Sequence, residues 1–242
     1  MFKDHQVSVV VPAYNEEETI QGVVSSFSAE PHVDEVLVVD NNCSDRTAAL
    51  AREAGARVVE EKEPGYGKAL LRGMSEAQGD ILVLTEADGS FLARDVIKLL
   101  VYLEDAGMVI GTRTTRQLVQ QGANMRSLLR WGNVFMAKYL ELLWFIKWEP
   151  RFTDVGCTFR ALWKSTFENI KDSLCESGPA FSPEMMVEVL VKGLRCIEIP
   201  VTYSPRLGGD SKHSATFFRQ ARTAWAMWKV ITKKKFLRSA KK

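Results

Sequence analysis

A chain of 242 residues, 46% hydrophobic and 26% charged, is long enough for one globular domain and too rich in apolar side chains to stay disordered. Its formal net charge of +2 is too small to make the whole surface a nucleic-acid binder, so no nucleic-acid partner is expected. Basic residues gather instead at the end of the chain, which reads KKKFLRSAKK. Cys43, Cys157, Cys175 and Cys196 form no C-x-x-C pair, and the three histidines add no zinc-ligand spacing. That pattern fits a reduced cytosolic protein without structural metal. The N-terminus runs almost directly into a strand pattern, so no signal peptide is expected. The apolar run 140–146 is interrupted by Glu141, flanked by Lys138 and Lys147, and too short to span a bilayer.

In chain order, residues 7–11, 35–39, 57–60, 81–84 and 108–110 are short, mostly β-branched runs and are predicted strands. Between them, 16–29, 45–54, 68–77 and 93–105 carry helical patterns, the second with Ser44 as its expected N-cap and Gly55 as its stop. Strands apolar throughout and alternating with helices indicate an α/β fold with a parallel sheet covered on both faces. Further on, 124–148 reads as one long helix rich in Leu, Trp and Phe. Ser182-Pro183-Glu184 supplies a capping hydroxyl, a first-position proline and an acid facing the helix dipole. Residues 197–203 form a predicted strand ended by Ser204-Pro205, and 215–236 a last helix entering the basic tail. The expected division is a catalytic domain over 1–213 and an amphipathic helix with basic tail over 214–242. Neither a repeat nor a low-complexity linker interrupts the chain.

Ligands of open α/β sheets sit at the carboxyl ends of the strands, and four polar clusters fall there. They are Pro12-Ala13-Tyr14-Asn15-Glu16, Asp40-Asn41-Asn42-Cys43-Ser44-Asp45, Pro64-Gly65-Tyr66-Gly67-Lys68 and Glu86-Ala87-Asp88-Gly89-Ser90. Any one of them is an ordinary turn composition; four in order on one edge suggest a nucleotide site. Tyr14 and Asp40 suit a base, and Glu16 or Glu86 suits ribose hydroxyls. Glu86 and Asp88 suit Mg²⁺ or Mn²⁺, which needs only one or two carboxylates when phosphate and water complete its shell. The G-Y-G-K turn lacks the spacing of a P-loop, which argues against an ATPase.

PAYNE, VVDNNCSDRT, GYGK and E-A-D-G, followed by Gly111-Thr112-Arg113, TDVGCTFRALWK and PRLGGDSKHS, resemble the ordered motifs of inverting family 2 glycosyltransferases. The later motifs are similar to the branch containing dolichol-phosphate mannosyltransferase and polyprenyl-phosphate glycosyltransferases. The resemblance implies a nucleotide-diphospho-sugar transferase fold, a mostly parallel sheet flanked by helices, with amphipathic helices at a membrane surface. It also implies that Pro12, Tyr14, Glu16 and Asp40 hold the nucleoside, with Ala13, Val39 and Lys68 in the same donor set. Ala87 and Asp88 would lie at the sugar diphosphate, Asp88 as metal ligand, and Glu184 near the donor sugar. Arg113, Arg206 and Lys212 would bind phosphates. The family usually has Asp where Glu86 stands, and some mannosyltransferases carry a longer side chain at Ser90.

The acceptor follows from a separate argument. A phosphate monoester is largely dianionic near neutrality, its second pKa being about 6, so it needs cations for positioning and no strong base. Arg113, Arg126, Arg130, Arg206 and Lys212 supply them, although each arginine alone also reads as a solvated or structural residue. Asp154 reads either as a base or as the residue ordering Gly156-Cys157-Thr158. Trp131, Phe135, Leu142, Trp144, Phe145 and Trp148, interleaved with Lys138 and Lys147, have the composition of a helix in a membrane interface. Phe217, Phe218, Trp225, Trp228 and Ile231, ending in Lys233-Lys234-Lys235, repeat it. The expected activity is inverting transfer of a sugar from a UDP- or GDP-sugar to a polyprenyl (dolichyl) phosphate. Its expected place is the cytosolic face of a membrane, with room for a membrane-protein partner. Alternatives are a soluble family 2 enzyme with a hydroxyl acceptor and a catalytically silent nucleotide-sugar-binding protein.

Overall fold

The computed structural model describes residues 1–123, 127–148, 150–208 and 217–239, the side chains of 127–128, 146–148, 217, 219 and 237–239 excepted. The first half runs β1 (Val7–Ala13), α1 (Ile20–Ser28), β2 (Glu35–Asp40), α2 (Thr47–Glu53), β3 (Arg57–Glu60), α3 (Tyr66–Glu76), β4 (Ile81–Leu84), α4 (Val96–Leu103) and β5 (Met108–Thr112). The second half runs α5 (Ser127–Trp148), β6 (Arg160–Trp163), α6 (Lys164–Ile170), α7 (Phe181–Val191), β7 (Cys196–Pro200) and α8 (Phe217–Ser239).

These strands form one seven-stranded sheet in the order β3-β2-β1-β4-β6-β5-β7. β1 pairs in parallel with β2 and β4, and β5 in parallel with β7, while β6 runs antiparallel between β4 and β5. Strand order therefore reverses at β1 and β4, where a crevice opens beyond the carboxyl ends. Because β6 alone is reversed, its amino end meets that same edge and brings residues 157–160 to the crevice.

The inner strands β1, β4 and β5 are almost entirely buried because both faces are covered. Val10, Leu37, Val39, Leu82, Leu84 and Ile110 point into one core with α3, α5, α7 and α8. Val9, Val11, Val36, Val38, Val83 and Val109 point into the other with α1 and α4. The period of two along each strand separates the two sets. Met227, Val230 and Ile231 place α8 within the first core. Among the described residues, no helix is long and apolar enough to cross a membrane.

Four features depart from the sequence pattern. β6 and α6 were not predicted: Arg160 heads a strand of only four residues, fully buried against Ser182 O at 3.0 Å. The N-cap of α2 is Arg46, and Asp45 accepts the Thr47 N–H at 3.0 Å in place of a Ser44 cap. α7 starts at Phe181, so Ser182 lies inside its first turn and makes no capping bond. β7 ends at Pro200, and Tyr203 instead bridges Phe91 and Val119.

α3 lies so close to the sheet that a Cβ at Gly73 would stand 2.3 Å from Val10 Cγ1 and 2.8 Å from Val39 Cγ2. Gly73→Ala is therefore expected to cost about 1–3 kcal/mol through overpacking. Urea unfolding checks this; an unchanged midpoint would contradict the packing.

Candidate functional site

The loops after β1 and β2 form one wall of the crevice. Pro12 pairs with Val39 and Ala13 with Asp40 in register, and Ala13 and Val39 are buried. Asn15 takes a left-handed backbone, φ 53°, and its Oδ1 accepts the Ser44 N–H at 2.8 Å. Glu16 N–H donates to Thr47 Oγ1 at 2.8 Å, and Asp40 Oδ1 accepts the Cys43 N–H at 2.9 Å. The loops after β1 and β2 are thus tied together, with the Tyr14 ring about half exposed (49%) above them.

The Gly65-Tyr66-Gly67 turn makes the next wall. Asn41 Nδ2 donates to Glu61 O and Glu63 O at 2.9 and 2.8 Å, and Asn41 Oδ1 accepts the Gly65 N–H at 2.9 Å. Segment 176–177 presses on this turn. Gly67 N–H donates to Ser177 O at 2.8 Å, and a Cβ on Gly67 would stand 2.1 Å from Glu176 O. Gly65, at φ 145°, lies in the region that favours glycine. Lys68 stands on the rim, paired with Glu63 at 2.7 Å.

At the floor, two carboxylates and an arginine converge. Asp88 is buried, and its Oδ1 accepts the Ser90 N–H at 2.9 Å. Its Oδ2 lies 3.0 Å from Arg206 Nη2, a charge contact without hydrogen-bond alignment, so this buried oxygen has no aligned donor. Arg206 Nη2 is also 3.8 Å from Glu86 Oε2. Thr158 Oγ1 donates to Glu86 Oε1 at 2.7 Å and lies 2.6 Å from the Tyr66 hydroxyl. Burial first, and the Asp88 charge second, push Glu86 up to about 7 against the opposing pull of Arg113 and Arg206. Ala87 is fixed by the Thr19 hydroxyl, which donates to its carbonyl at 2.7 Å. Arg206 arrives on a strap over this turn: Ser204 N–H donates to Ser90 O at 2.9 Å and Leu207 N–H to Asp88 O at 3.0 Å.

Arg113 and Asp154 face one another. Arg113 donates through Nε to Asp154 Oδ2 at 2.8 Å and through Nη2 to Oδ1 at 3.0 Å. Asp154 is fully buried and also accepts the Gly156 N–H at 3.1 Å. Glu198 accepts the Asp154 N–H at 2.9 Å from behind. Of the two roles open to Asp154, this is the geometry of a residue that orders its turn and holds an arginine. Arg113 also lies over the Tyr203 ring, 5.4 Å from its centroid. On α5, Asn133 Oδ1 abuts Gly156, and the buried Arg130 Nε has no hydrogen-bond partner among the described residues. Lys212 and Arg126 lie outside the described residues. The Glu184 carboxylate is held elsewhere, buried under Cys175 and Glu176, whose N–H groups donate to it at 2.9–3.1 Å.

Tyr66, Thr158, Arg160 and Thr19 escaped the sequence reading as site residues. The first three stand within the quoted motifs, but only the reversed β6 shows that Thr158 meets Glu86.

The family model of glycosyl transferase family 2 matches residues 8–170. An uncharacterized glycosyltransferase of Mycobacterium tuberculosis is 31% identical over 228 residues, which are 93% of this chain and 98% of that protein. The chain belongs to glycosyl transferase family 2. This family 2 glycosyltransferase is also 27% identical over 239 residues to the dolichol-phosphate mannosyltransferase of Pyrococcus furiosus, covering 93% of this chain and 64% of that one. Among solved structures it is similar to glucosyl-3-phosphoglycerate synthase of M. tuberculosis, crystallised with Mn²⁺, UDP and phosphoglyceric acid. The TM-score is 0.74 at 20% identity, over 96% of this chain and 79% of that one. The shared feature is the fold, the expected nucleotide-diphospho-sugar transferase architecture.

Asp154→Ala in the glycosyltransferase leaves Arg113 charged and mostly buried without its partner. The expected loss is about 3–5 kcal/mol of stability, against less than about 0.5 kcal/mol for Lys68→Met on the rim. Denaturant unfolding of both variants checks this, and equal losses would contradict the contrast.

Proposed function

We propose that this glycosyltransferase moves one sugar, with inversion, from a nucleotide-diphospho-sugar to a polyprenyl (dolichyl) phosphate at the cytosolic face of a membrane. Pro12, Ala13, Tyr14, Glu16, Val39 and Asp40 line the nucleoside end, and Lys68 adds a rim cation. The diphosphate lies over Ala87 and Asp88.

Asp88 and Glu86 fit a divalent cation. Asp88 Oδ2 is buried without an aligned donor, which is the state of an oxygen built for a cation. No group of three His, Cys, Asp or Glu side chains forms a cage among the described residues. Two carboxylates suffice for Mg²⁺ or Mn²⁺, which keeps water and phosphate oxygens in its shell. When bound, the cation neutralises charge on the departing diphosphate. Glucosyl-3-phosphoglycerate synthase, which shares the fold and was crystallised with Mn²⁺ and UDP, lends support.

One observation carries the acceptor reading: a basic side chain adjoins an exposed aromatic face, the Arg130 guanidinium lying 5.7 Å from the centroid of the Trp131 ring. Trp131, Phe135, Leu142 and Phe145 of α5 are 46–75% exposed and share one side of the helix by its 3.6-residue period. That helix carries Arg130, and a Cβ at Gly156 would stand 2.9 Å from its Asn133 Oδ1 and 3.4 Å from Arg113 Nη2. On α8, Phe218, Trp225 and Phe236 are exposed beside Arg222, Lys229 and Lys233. Such a surface seats aromatic rings at the headgroup level and offers cations to anionic lipid. An acceptor whose apolar chain stays in the bilayer would present its phosphate to Arg113, Arg130 and Arg206. A phosphate nucleophile asks these groups for charge and orientation and needs no residue to take a proton. Arg206 can hold it in a bidentate fork. Asp154, its oxygens already bonded to Arg113, keeps that arginine in place.

The test measures transfer to polyprenyl phosphate in vesicles. Asp88→Ala and EDTA treatment should each remove nearly all turnover, while Glu86→Asp retains it. Arg206→Ala should lose a charge-assisted contact of about 1.5–3 kcal/mol, roughly a 10- to 150-fold drop, with partial recovery in Arg206→Lys. Full activity in EDTA or in Asp88→Ala would overturn the metal assignment.

A further inference from the structure

Lys233-Lys234-Lys235 reads in sequence as a solvated basic run, yet its middle member faces inward. Met227, Val230, Ile231 and Lys234 follow the i, i+3, i+4, i+7 spacing of one helix face, and the first three are core residues. Lys234 Nζ lies 2.8 Å from Glu184 Oε1 and 2.9 Å from Glu188 Oε1, and it also donates to Ser173 O. Both glutamates are buried one turn apart on α7, where two like charges require a cation between them. Burial alone would pull Lys234 down, but the two glutamates more than offset it and raise it above its ordinary range, so it stays charged.

The contacts continue from there to the donor turn. Glu184 accepts the N–H groups of Cys175 and Glu176. Glu176 O and Ser177 O are the atoms that press on Gly65 and Gly67, and Ser177 O accepts the Gly67 N–H. Between those glycines stands Tyr66, whose hydroxyl contacts Thr158, which in turn donates to Glu86. An unbroken series of bonded groups thus joins α8, the helix with the exposed aromatic and basic face, to the acid pair.

We infer that Lys234 is a positioning residue: by neutralising Glu184 and Glu188 it anchors segment 173–177 on the Gly65–Gly67 turn, so that the donor site is complete only while α8 is seated. The inference rests on the reading of the crevice as the donor site. Removing Lys234 leaves two buried carboxylates facing each other. They relieve the repulsion by turning outward, which takes the acceptor away from the N–H groups of 175 and 176, or by taking up a proton, which weakens those bonds.

Amide hydrogen exchange on the full chain without ligand tests the anchoring independently of what the site binds. In Lys234→Met, exchange in peptides over 65–70 and 174–178 should rise about tenfold, while β1 and β2 stay as protected as in the parent. Lys234→Arg should restore protection, and Lys233→Met should leave both peptides unchanged. Lys234→Met combined with Glu188→Gln removes one of the facing acids and with it their repulsion, keeps the fold where the single variant does not, and should show a smaller rise in the same two peptides, because Glu184 still lacks its cation. UDP affinity with Mn²⁺, measured on the same proteins, should weaken about tenfold in Lys234→Met and return in Lys234→Arg. Unchanged exchange over 65–70 in the folded variants would overturn the inference. Faster exchange there in Lys234→Met, with a parent protein that binds neither UDP nor GDP, would instead count against the donor-site reading alone.

Discussion

Glu86 and Asp88 are two acids held two residues apart at the end of β4, in a place too buried for two free negative charges. Much of the architecture around them answers that constraint. The strap 204–207 exists as a bonded structure because its backbone closes on Asp88 O and Ser90 O, and it delivers Arg206 to both carboxylates. The reversed strand β6 brings the Thr158 hydroxyl to Glu86, and the Gly65–Gly67 turn places Tyr66 behind that hydroxyl. Even so, Asp88 Oδ2 keeps no aligned donor and Glu86 sits near 7, so the acid pair is incompletely neutralised by the protein alone. A site left short of positive charge favours a divalent cation together with a diphosphate.

The second tier of the structure fixes arginines around the acid pair. A buried guanidinium is stable only with acceptors fixed in advance. Asp154 supplies them for Arg113, and Glu198 fixes the backbone of Asp154 in turn. Arg160 has no carboxylate of its own among the described ion pairs and bonds instead to the carbonyls of Cys157 and Ser182. It thereby ties the amino end of β6 to the first turn of α7. Shape at the crevice is thus set by charge as much as by apolar packing.

Most of the first half was legible in the sequence because its signals are local. Residues 57–60 and 81–84 match β3 and β4 at both ends, and the β1, β2 and β5 patterns stop one or two residues short of the paired register. The loops at their carboxyl ends could be placed on one edge from alternation alone. Partnerships distant in sequence had no such signal. Arg113 and Asp154 were each singled out, but their mutual bond spans 41 residues and depends on β6, whose Arg-Ala-Leu-Trp lacks any β-branched residue. The resemblance implies a donor-side acid at Glu184; its bond to Lys234 depends on a helix face that the KKK run conceals. Trp144 shares the interfacial composition of its neighbours yet is buried, because composition does not separate the two sides of one helix.

The acceptor distinguishes a lipid-phosphate glycosyltransferase from one that acts on a hydroxyl. The decisive measurement is a panel of UDP- and GDP-sugars offered with polyprenyl phosphate, with the matching polyprenol and with 3-phosphoglycerate, the products read by mass spectrometry. A lipid-phosphate-linked monosaccharide formed from polyprenyl phosphate, with no product from the polyprenol, is the result predicted. Preferential glycosylation of the free alcohol or of phosphoglycerate would contradict it, and would make the aromatic faces of α5 and α8 unrelated to catalysis.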